Sequence, residues 1–434
     1  MVSSELGTTK MEFSAAKEFA EKMDNQDQLR DFRKEFLFPK SPKGGDCLYL
    51  AGNSLGLEPR NARKYIEEEL EDWAQLGVEG HWDARHPWLP YHENLTEMTA
   101  RLVGAQPIEV VVMNTLTVNL HLMMVSFYRP TKNRYKILTE HSPFPSDKYA
   151  VDSQAGVHGF DAKHAVVELQ PRAGEALLRT EDIVDTIKKH GDSIALVLLG
   201  QVNYLSGQAF DVPTIARAAH EKGCMFGLNL AHGAGNLLLR LHDWDVDFAV
   251  WCGYKYLNSG PGALAGCFVH ERHGKNTNLP RFAGWWGHDK ASRFQMGPQF
   301  KAIEGAEGWQ LSNPPIFQLA ALRASLELFD KATMPALRSK SELLTGYLEY
   351  LLTAIPDQFV TVITPRDASA RGCQLSCRLK GNPRKLVEHL RSIGAICDFR
   401  EPDIIRMAPT PLYNSFTDVH RFASAVADCA AGKV

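Results

Sequence analysis

DVDFAVWCGYKYLNSGPG, residues 245–262, is the stretch on which the fold turns. The apolar run Val246–Trp251 reads as a buried strand. It passes directly into Gly253-Tyr254-Lys255 and then a loop of Asn, Ser, Gly and Pro. A lysine at the carboxyl edge of a sheet stands where α/β proteins bind their ligands. Its amine can condense with an aldehyde as a Schiff base. By itself the pattern also fits a solvated strand-end lysine.

Six more apolar runs repeat the strand signal: Val110–Met113, Tyr135–Thr139, Ala165–Leu169, Ile194–Leu199, Cys224–Leu230 and Leu264–Val269. Between them Thr180–His190 and Val212–Lys222 have helical period, and Gly223 stops the second. The alternation predicts an α/β fold with a mostly parallel sheet flanked by helices. Past residue 310 the pattern changes. Asn313 is expected to cap a helix that starts at Pro314 and runs to about Lys331, and a second helix spans Met334–Ile355. Strands at Phe359–Ile363, Cys373–Leu379, Ala395–Phe399 and Ile404–Met407 mix with helices at Pro383–Ile393 and Ser415–Ala430. They make a smaller α+β unit. The expected division is an N-terminal helical segment (1–50) joining that small unit, a large domain (51–330) and the small C-terminal domain (331–434).

Composition narrows the class. With 434 residues the chain exceeds the ~250–300 that one core usually supports. The 48 basic and 51 acidic residues give a net charge of −3, which supplies no footprint for nucleic acid. No apolar window approaches the ~18 residues of a membrane helix, and Met1–Lys10 lacks the layout of a signal peptide. Eight cysteines scattered through a long chain read as reduced thiols in a cytoplasmic protein.

Several motifs reduce to ordinary structure. Gly52-Asn53-Ser54-Leu55-Gly56 has the G-x-S-x-G spacing of a nucleophile elbow, but it lacks the preceding core sheet and the helix that must follow. No phosphate-binding G-x-x-x-x-G-K-[ST] loop and no His-Glu-x-x-His occurs. Cys373 and Cys377 lie about 13 Å apart on one strand face, too far for one zinc, so no metal is expected. The polar residues at strand ends are different. Gly227-Leu228-Asn229-Leu230-Ala231-His232 offers a partner for a pyridine nitrogen. Asn114-Thr115-Leu116-Thr117 opens a helix and can cradle a phosphate. Phe144-Pro145-Ser146-Asp147 adds a ring and a carboxylate. Together with Lys255 they point to pyridoxal 5'-phosphate.

These segments resemble kynureninase, a pyridoxal-phosphate family of fold type I (the aspartate-aminotransferase superfamily). The resemblance runs from Gly52-Asn53-Ser54-Leu55-Gly56 to Tyr413-Asn414-Ser415-Phe416. It includes MNTLTVNLH (113–121), FPSD (144–147), LHDWDVDFAVWC (241–252), GWWGH (284–288), SNPP (312–315) and APTPLYNSF (408–416), and it leans towards the eukaryotic, fungal branch. It implies hydrolytic cleavage of L-kynurenine and L-3-hydroxykynurenine to an anthranilate and L-alanine, in tryptophan catabolism and NAD biosynthesis. Lys255 would hold the cofactor and move protons, with Tyr254 as the other catalytic residue. Leu116, Thr117, Phe144, Pro145, Ser146, Asp147, Asn229, His232, Trp285 and Asn313 would surround the cofactor. Arg406, His81, Asn313 and Ser54 would meet the substrate. His81 and Asn313 would favour the hydroxylated substrate. A homodimer is implied, with Trp285 and Asn313 donated across the interface.

The chain departs from the family at Asn229, where Asp is usual, at Gly253 (Ser) and at Leu228 (an aromatic). Asn carries no charge to hold a pyridinium proton. Three readings follow: an active kynureninase in which Asp147 supplies the charge, an enzyme retuned for a related tryptophan-derived amino acid, or a cofactor-binding protein with little catalysis. The first is adopted. A cysteine desulfurase would need a reactive cysteine on a mobile loop, and none of the eight sits in such a segment.

Overall fold

The computed structural model describes residues 12–356 and 358–433, so the expectation for Met1–Lys10 lies outside the described residues. Seven strands form the main sheet: β1 (Val110–Val112), β2 (Lys136–Thr139), β3 (Val166–Glu168), β4 (Ile194–Gly200), β5 (Met225–Asn229), β6 (Phe248–Cys252) and β7 (Ala265–Val269). Their order is β1-β7-β6-β5-β4-β2-β3. β7 runs antiparallel to both its neighbours, and the remaining pairs are parallel. The expected mostly parallel sheet is therefore present, with one reversed strand.

Alternation along the strands divides the interior into two cores. On β6, Phe248 and Val250 face one layer, where Phe248 stacks on Phe127 at 4.9 Å. Ala249 and Trp251 face the other, with Phe226, Leu228, Leu326 and Phe329. Each fully buried Leu or Phe contributes about 1.5–3 kcal/mol relative to exposure, so the sheet is stabilised from both faces.

A third core belongs to the C-terminal unit. Its sheet, β8 (Val360–Val362), β9 (Leu375–Leu379), β10 (Asp398–Arg400) and β11 (Ile404–Met407), is antiparallel in the order β8-β9-β11-β10. Ala20 and Met23, from the helix Lys17–Gln26, pack with Leu48 and Leu50 against Leu344, Leu348, Phe416 and Phe422 of this unit. The N-terminal segment also reaches the main core through Leu29, Phe36, Tyr49 and Ala51.

Some local expectations change. Asn313 is exposed and caps nothing; the helix begins at Ile316 with Pro315 at the cap position. A residue preceding proline is pushed out of helical geometry, so Pro314-Pro315 delays the start. The single strand expected at Ala395–Phe399 divides at Cys397. Ala395–Ile396 pairs in parallel with Leu48–Tyr49, while Asp398–Arg400 joins the C-terminal sheet. β9 begins at Leu375 because the Cys373 N–H is committed to Asn236 Oδ1 at 2.8 Å. Both Cys373 and Cys377 are buried. In the first forty residues, Arg30–Glu35 is a 3₁₀ turn and Phe36–Leu37 pairs with Glu58–Pro59.

Candidate active site

Five strands end at one edge of the sheet, and the residues that follow them or close them converge on a cavity. It is lined by Leu116, Thr117, Glu140, Phe144, Asp147 and Lys255, with Ser146, Gly200, Val202, Tyr204, Asn229, Ala231, His232 and Tyr254 completing the wall. Lys255 follows β6, Asn229 closes β5, Gly200 closes β4 and Glu140 follows β2. The carboxyl ends of parallel strands collect what the sequence scatters over 140 positions.

Lys255 is the centre. Its Nζ lies 3.1 Å from His232 Nε2, 5.7 Å from the Phe144 ring centre and 5.8 Å from that of Tyr254. Burial pushes the Lys255 amine below its ordinary range, and Arg406 and Arg400 lower it further. Burial drives His232 well below 6.5, with Lys255 and the same two arginines adding to it, so the imidazole is neutral. A neutral ring that accepts from Nζ at Nε2 carries its proton on Nδ1, and Nδ1 is buried with no partner among the described residues.

Two helix N-termini face each other across the same space, Leu116–Phe127 and Pro145–Val157. Thr117 Oγ1 and Ser146 Oγ are 3.0 Å apart, and neither helix has a side-chain cap. Uncapped first-turn N–H groups and paired hydroxyls are the donor set that a phosphate takes. The orphaned His232 Nδ1, the lysine amine, the partly exposed Phe144 ring and this cradle fit pyridoxal phosphate.

The Asn229 amide is fixed from both ends. Its Oδ1 accepts the Ala231 N–H at 2.8 Å, and its Nδ2 donates to Asp147 Oδ2 at 2.7 Å. The oxygen is engaged by a backbone N–H and the amide carries no charge, so Asn229 does not stand in for a carboxylate towards the cavity. Two carboxyls remain in the wall. Glu140 accepts the Gly200 N–H at 2.9 Å and has no cationic partner among the described residues; burial raises it to about 8. Burial raises Asp147 to about 6, with Asn229 and Lys255 opposing. Near pH 7.5 Glu140 is mostly neutral and Asp147 is the anion.

The expected substrate residues are placed less uniformly. Arg406, on β11, is buried; it donates to Tyr204 O at 2.7 Å, and the Tyr204 ring meets Phe144 edge-on at 5.3 Å. Ser54 lies outside the cavity wall, on a loop docked behind Lys255, where Gly56 N–H donates to Tyr254 O at 2.8 Å. At Gly56 a Cβ would stand 2.3 Å from Lys255 O, so the approach requires glycine. At Gly253 a Cβ would meet Ser259 Oγ at 2.3 Å and Leu264 O at 2.4 Å, so a Ser there needs these neighbours to move. Leu228 is core. His81 packs against Trp82 and Trp88, and Trp285 is 40% exposed with its indole N–H on Arg293 O. Arg406, Pro145, His81, Trp285 and Asn313 do not line the cavity of this chain, although Arg406 touches its wall through Tyr204.

Glu140, Gly200, Val202, Tyr204 and Ala231 were not among the expected residues. The signal for Glu140 was a carboxylate directly after a buried strand. The acidic residues of LHDWDVDF serve the fold. Asp247 accepts the Phe226 N–H at 2.6 Å and pairs with His220, His273 and Arg272, fixing the start of β6 against β5.

Among solved structures, a cysteine desulfurase from Thermococcus onnurineus superposes with a TM-score of 0.76 at 17% identity, covering 93% of this chain and 98% of that one. A mutant of C-DES with glycine covalently linked to its PLP cofactor gives 0.77 at 16%, covering 91% and 99%. At such identities the likeness shows the fold, that of type I pyridoxal-phosphate enzymes. In sequence, residues 337–426 match the kynureninase C-terminal domain. The kynureninase of Myxococcus xanthus is 67% identical over 415 residues, 96% of this chain and 97% of that protein. That of Koribacter versatilis is 57% identical (94% and 97%), and that of the animal Nematostella vectensis 52% (94% and 93%). The similarity thus extends well beyond the eukaryotic branch. A chain matched over 94–96% of its length at these identities, with a lysine-centred cavity at the strand ends of this fold, belongs to the kynureninase family.

Proposed function

We propose how the residues of this kynureninase-type, pyridoxal-phosphate-dependent enzyme divide the work of cleaving kynurenine and 3-hydroxykynurenine to an anthranilate and alanine. The observation that carries the proposal is Lys255 beside a neutral His232, in a cavity whose anion is Asp147 and whose rim holds two helix N-termini. The cofactor, when bound, supplies an aldehyde for an amine and a protonated ring that takes up electrons from the substrate's α-carbon. Thr117, Ser146 and the first-turn N–H groups hold its phosphate. Phe144 would contact its ring, and Asp147, buttressed by Asn229, would supply the negative charge that keeps the ring nitrogen protonated. Lys255 holds the aldehyde. Once the substrate's own amine has displaced it from the aldehyde, Lys255 Nζ, its basicity depressed by burial, would be free to take the α-proton and return it, with the neutral His232 beside it. Arg406 takes the substrate carboxylate.

The enzyme works as a homodimer in which Trp285 and Asn313 complete the partner's site, His81 and Asn313 meet the substrate's aromatic ring, and Ser54 contacts the substrate. Support comes from the exposed apolar group around Trp285, which includes Phe282, Phe294, Met296 and Phe300. No helix among the described residues is long and apolar enough to cross a membrane. Eight free cysteines support a reducing compartment, the cytoplasm.

The test is a turnover assay of cofactor-loaded protein with both substrates, measuring anthranilates and alanine. Stoichiometric products are expected, with covalent cofactor on the Lys255 peptide after borohydride reduction. Bound cofactor with no product from either substrate would favour the retuned or non-catalytic reading. Inactive Lys255→Ala and Trp285→Ala variants should regain activity when mixed if sites are shared.

A further inference from the structure

β10 and β11 pair antiparallel with Asp398 directly opposite Arg406. Residues two apart on a strand share a face, so Arg400 stands on the same side as Asp398. The sequence Asp398-Phe399-Arg400, facing Arg406, thereby sets two guanidinium groups around one carboxylate. Both arginines bond the same oxygen: Arg406 Nη2 pairs closely with Asp398 Oδ2, and Arg400 Nη2 donates to it at 3.1 Å. Asp398 neutralises one of the two cations and leaves a net single positive charge. Each arginine also keeps a buried donor unspent, since Arg400 Nε and Arg406 Nε have no partner among the described residues. Arg406 is tied through Tyr204 O at 2.7 Å to a residue of the cavity wall, and Arg400 is held beside Arg406 by their shared Asp398 oxygen.

We infer that Arg400 is a second carboxylate-binding residue, which with Arg406 and their shared Asp398 forms a two-arginine clamp for the substrate's single α-carboxylate. A carboxylate has two oxygens and the clamp has two unspent N–H donors, which raises both affinity and orientation. Asp398 acts as a positioning residue, holding both side chains extended against their mutual repulsion. The inference rests on the assignment of the amino-acid site to this cavity. Cofactor retention by Lys255 is measured separately, so failure of one is distinguishable from failure of the other.

The experiment compares wild type, Arg400→Gln and Arg400→Lys as cofactor-loaded proteins, first confirming equal cofactor absorbance per chain. Calorimetry then measures binding of L-alanine and of the amine that lacks only the carboxylate of kynurenine, alongside steady-state kinetics. Losing one charge-assisted bond should weaken alanine about tenfold or more. Binding of the carboxylate-free amine should stay within about twofold, and KM should rise with kcat little changed. Arg400→Lys keeps the charge without the fork and should fall between. Equal alanine affinity in wild type and Arg400→Gln, or an equal loss for both ligands, overturns the clamp. Should Arg400→Gln not fold, a wild-type alanine affinity in Arg400→Lys overturns it as well.

Discussion

Asp147→Asn separates what the site costs the fold from what it gives the reaction. In the cofactor-free protein Asp147 titrates at about 6 instead of 3.8, because burial outweighs the help of Asn229 and Lys255. The folded chain therefore holds this proton more tightly than the unfolded chain. Stability from such a group is present below pH 4 and is lost as pH rises through about 6. At ~1.4 kcal/mol per pH unit the penalty at pH 7.5 approaches 3 kcal/mol, an upper bound because the carboxylate keeps some contact with water. Asn at 147 can still accept the Asn229 N–H, so the substitution removes charge and little else. Cofactor-free Asp147→Asn should match wild type in urea midpoint at pH 4 and exceed it at pH 7.5. Loaded with cofactor, it should be crippled. A carboxylate near a pyridinium contributes about 4 kcal/mol at an effective dielectric of 20 and 4 Å, so kcat should fall a hundredfold or more. No stability gain at pH 7.5, or a kcat within a fewfold of wild type, would refute the assignment of the working charge to Asp147.

Asn229→Asp places a second carboxylate on the one 2.7 Å away. The cofactor-free protein should lose stability above pH 6 as the two share one proton, and the loaded enzyme should turn over several-fold faster; an unchanged kcat would show that Asn229 does not limit the rate. Glu140, raised from 4.5 to about 8, opposes folding as pH rises across that window, by on the order of 5 kcal/mol when fully ionised. Glu140→Gln should therefore flatten the fall in urea midpoint between pH 5 and 9 while keeping activity at pH 7; parallel curves for the two proteins would count against a protonated Glu140. At Gly266 a Cβ would stand 2.2 Å from the Trp251 ring. Gly266→Ala should lower stability by roughly 1–3 kcal/mol, read as a drop in thermal midpoint, without altering KM in the protein that folds.

The elements of this chain were written locally. Ile404–Met407 and Thr180–His190 have the limits that hydrophobic period alone assigns, because a strand or helix announces itself within ten residues. The deciding stretch at 245–262 likewise placed Lys255 at a strand end, and polar residues after other apolar runs marked most of the cavity wall. Local reading failed where a neighbour in sequence or a partner in space overrode it, as at Pro314-Pro315 and at Cys397. Only the tertiary structure decided how Asn229 stands. The Ala231 N–H pins its oxygen and Asp147, 82 positions away, takes its N–H, so the missing charge passes to a residue on another element. The same holds for Glu140 and the Asp398 clamp. A carboxyl's charge depends on what surrounds it, and a sequence does not state burial or distance; a pattern of apolar spacing it does state.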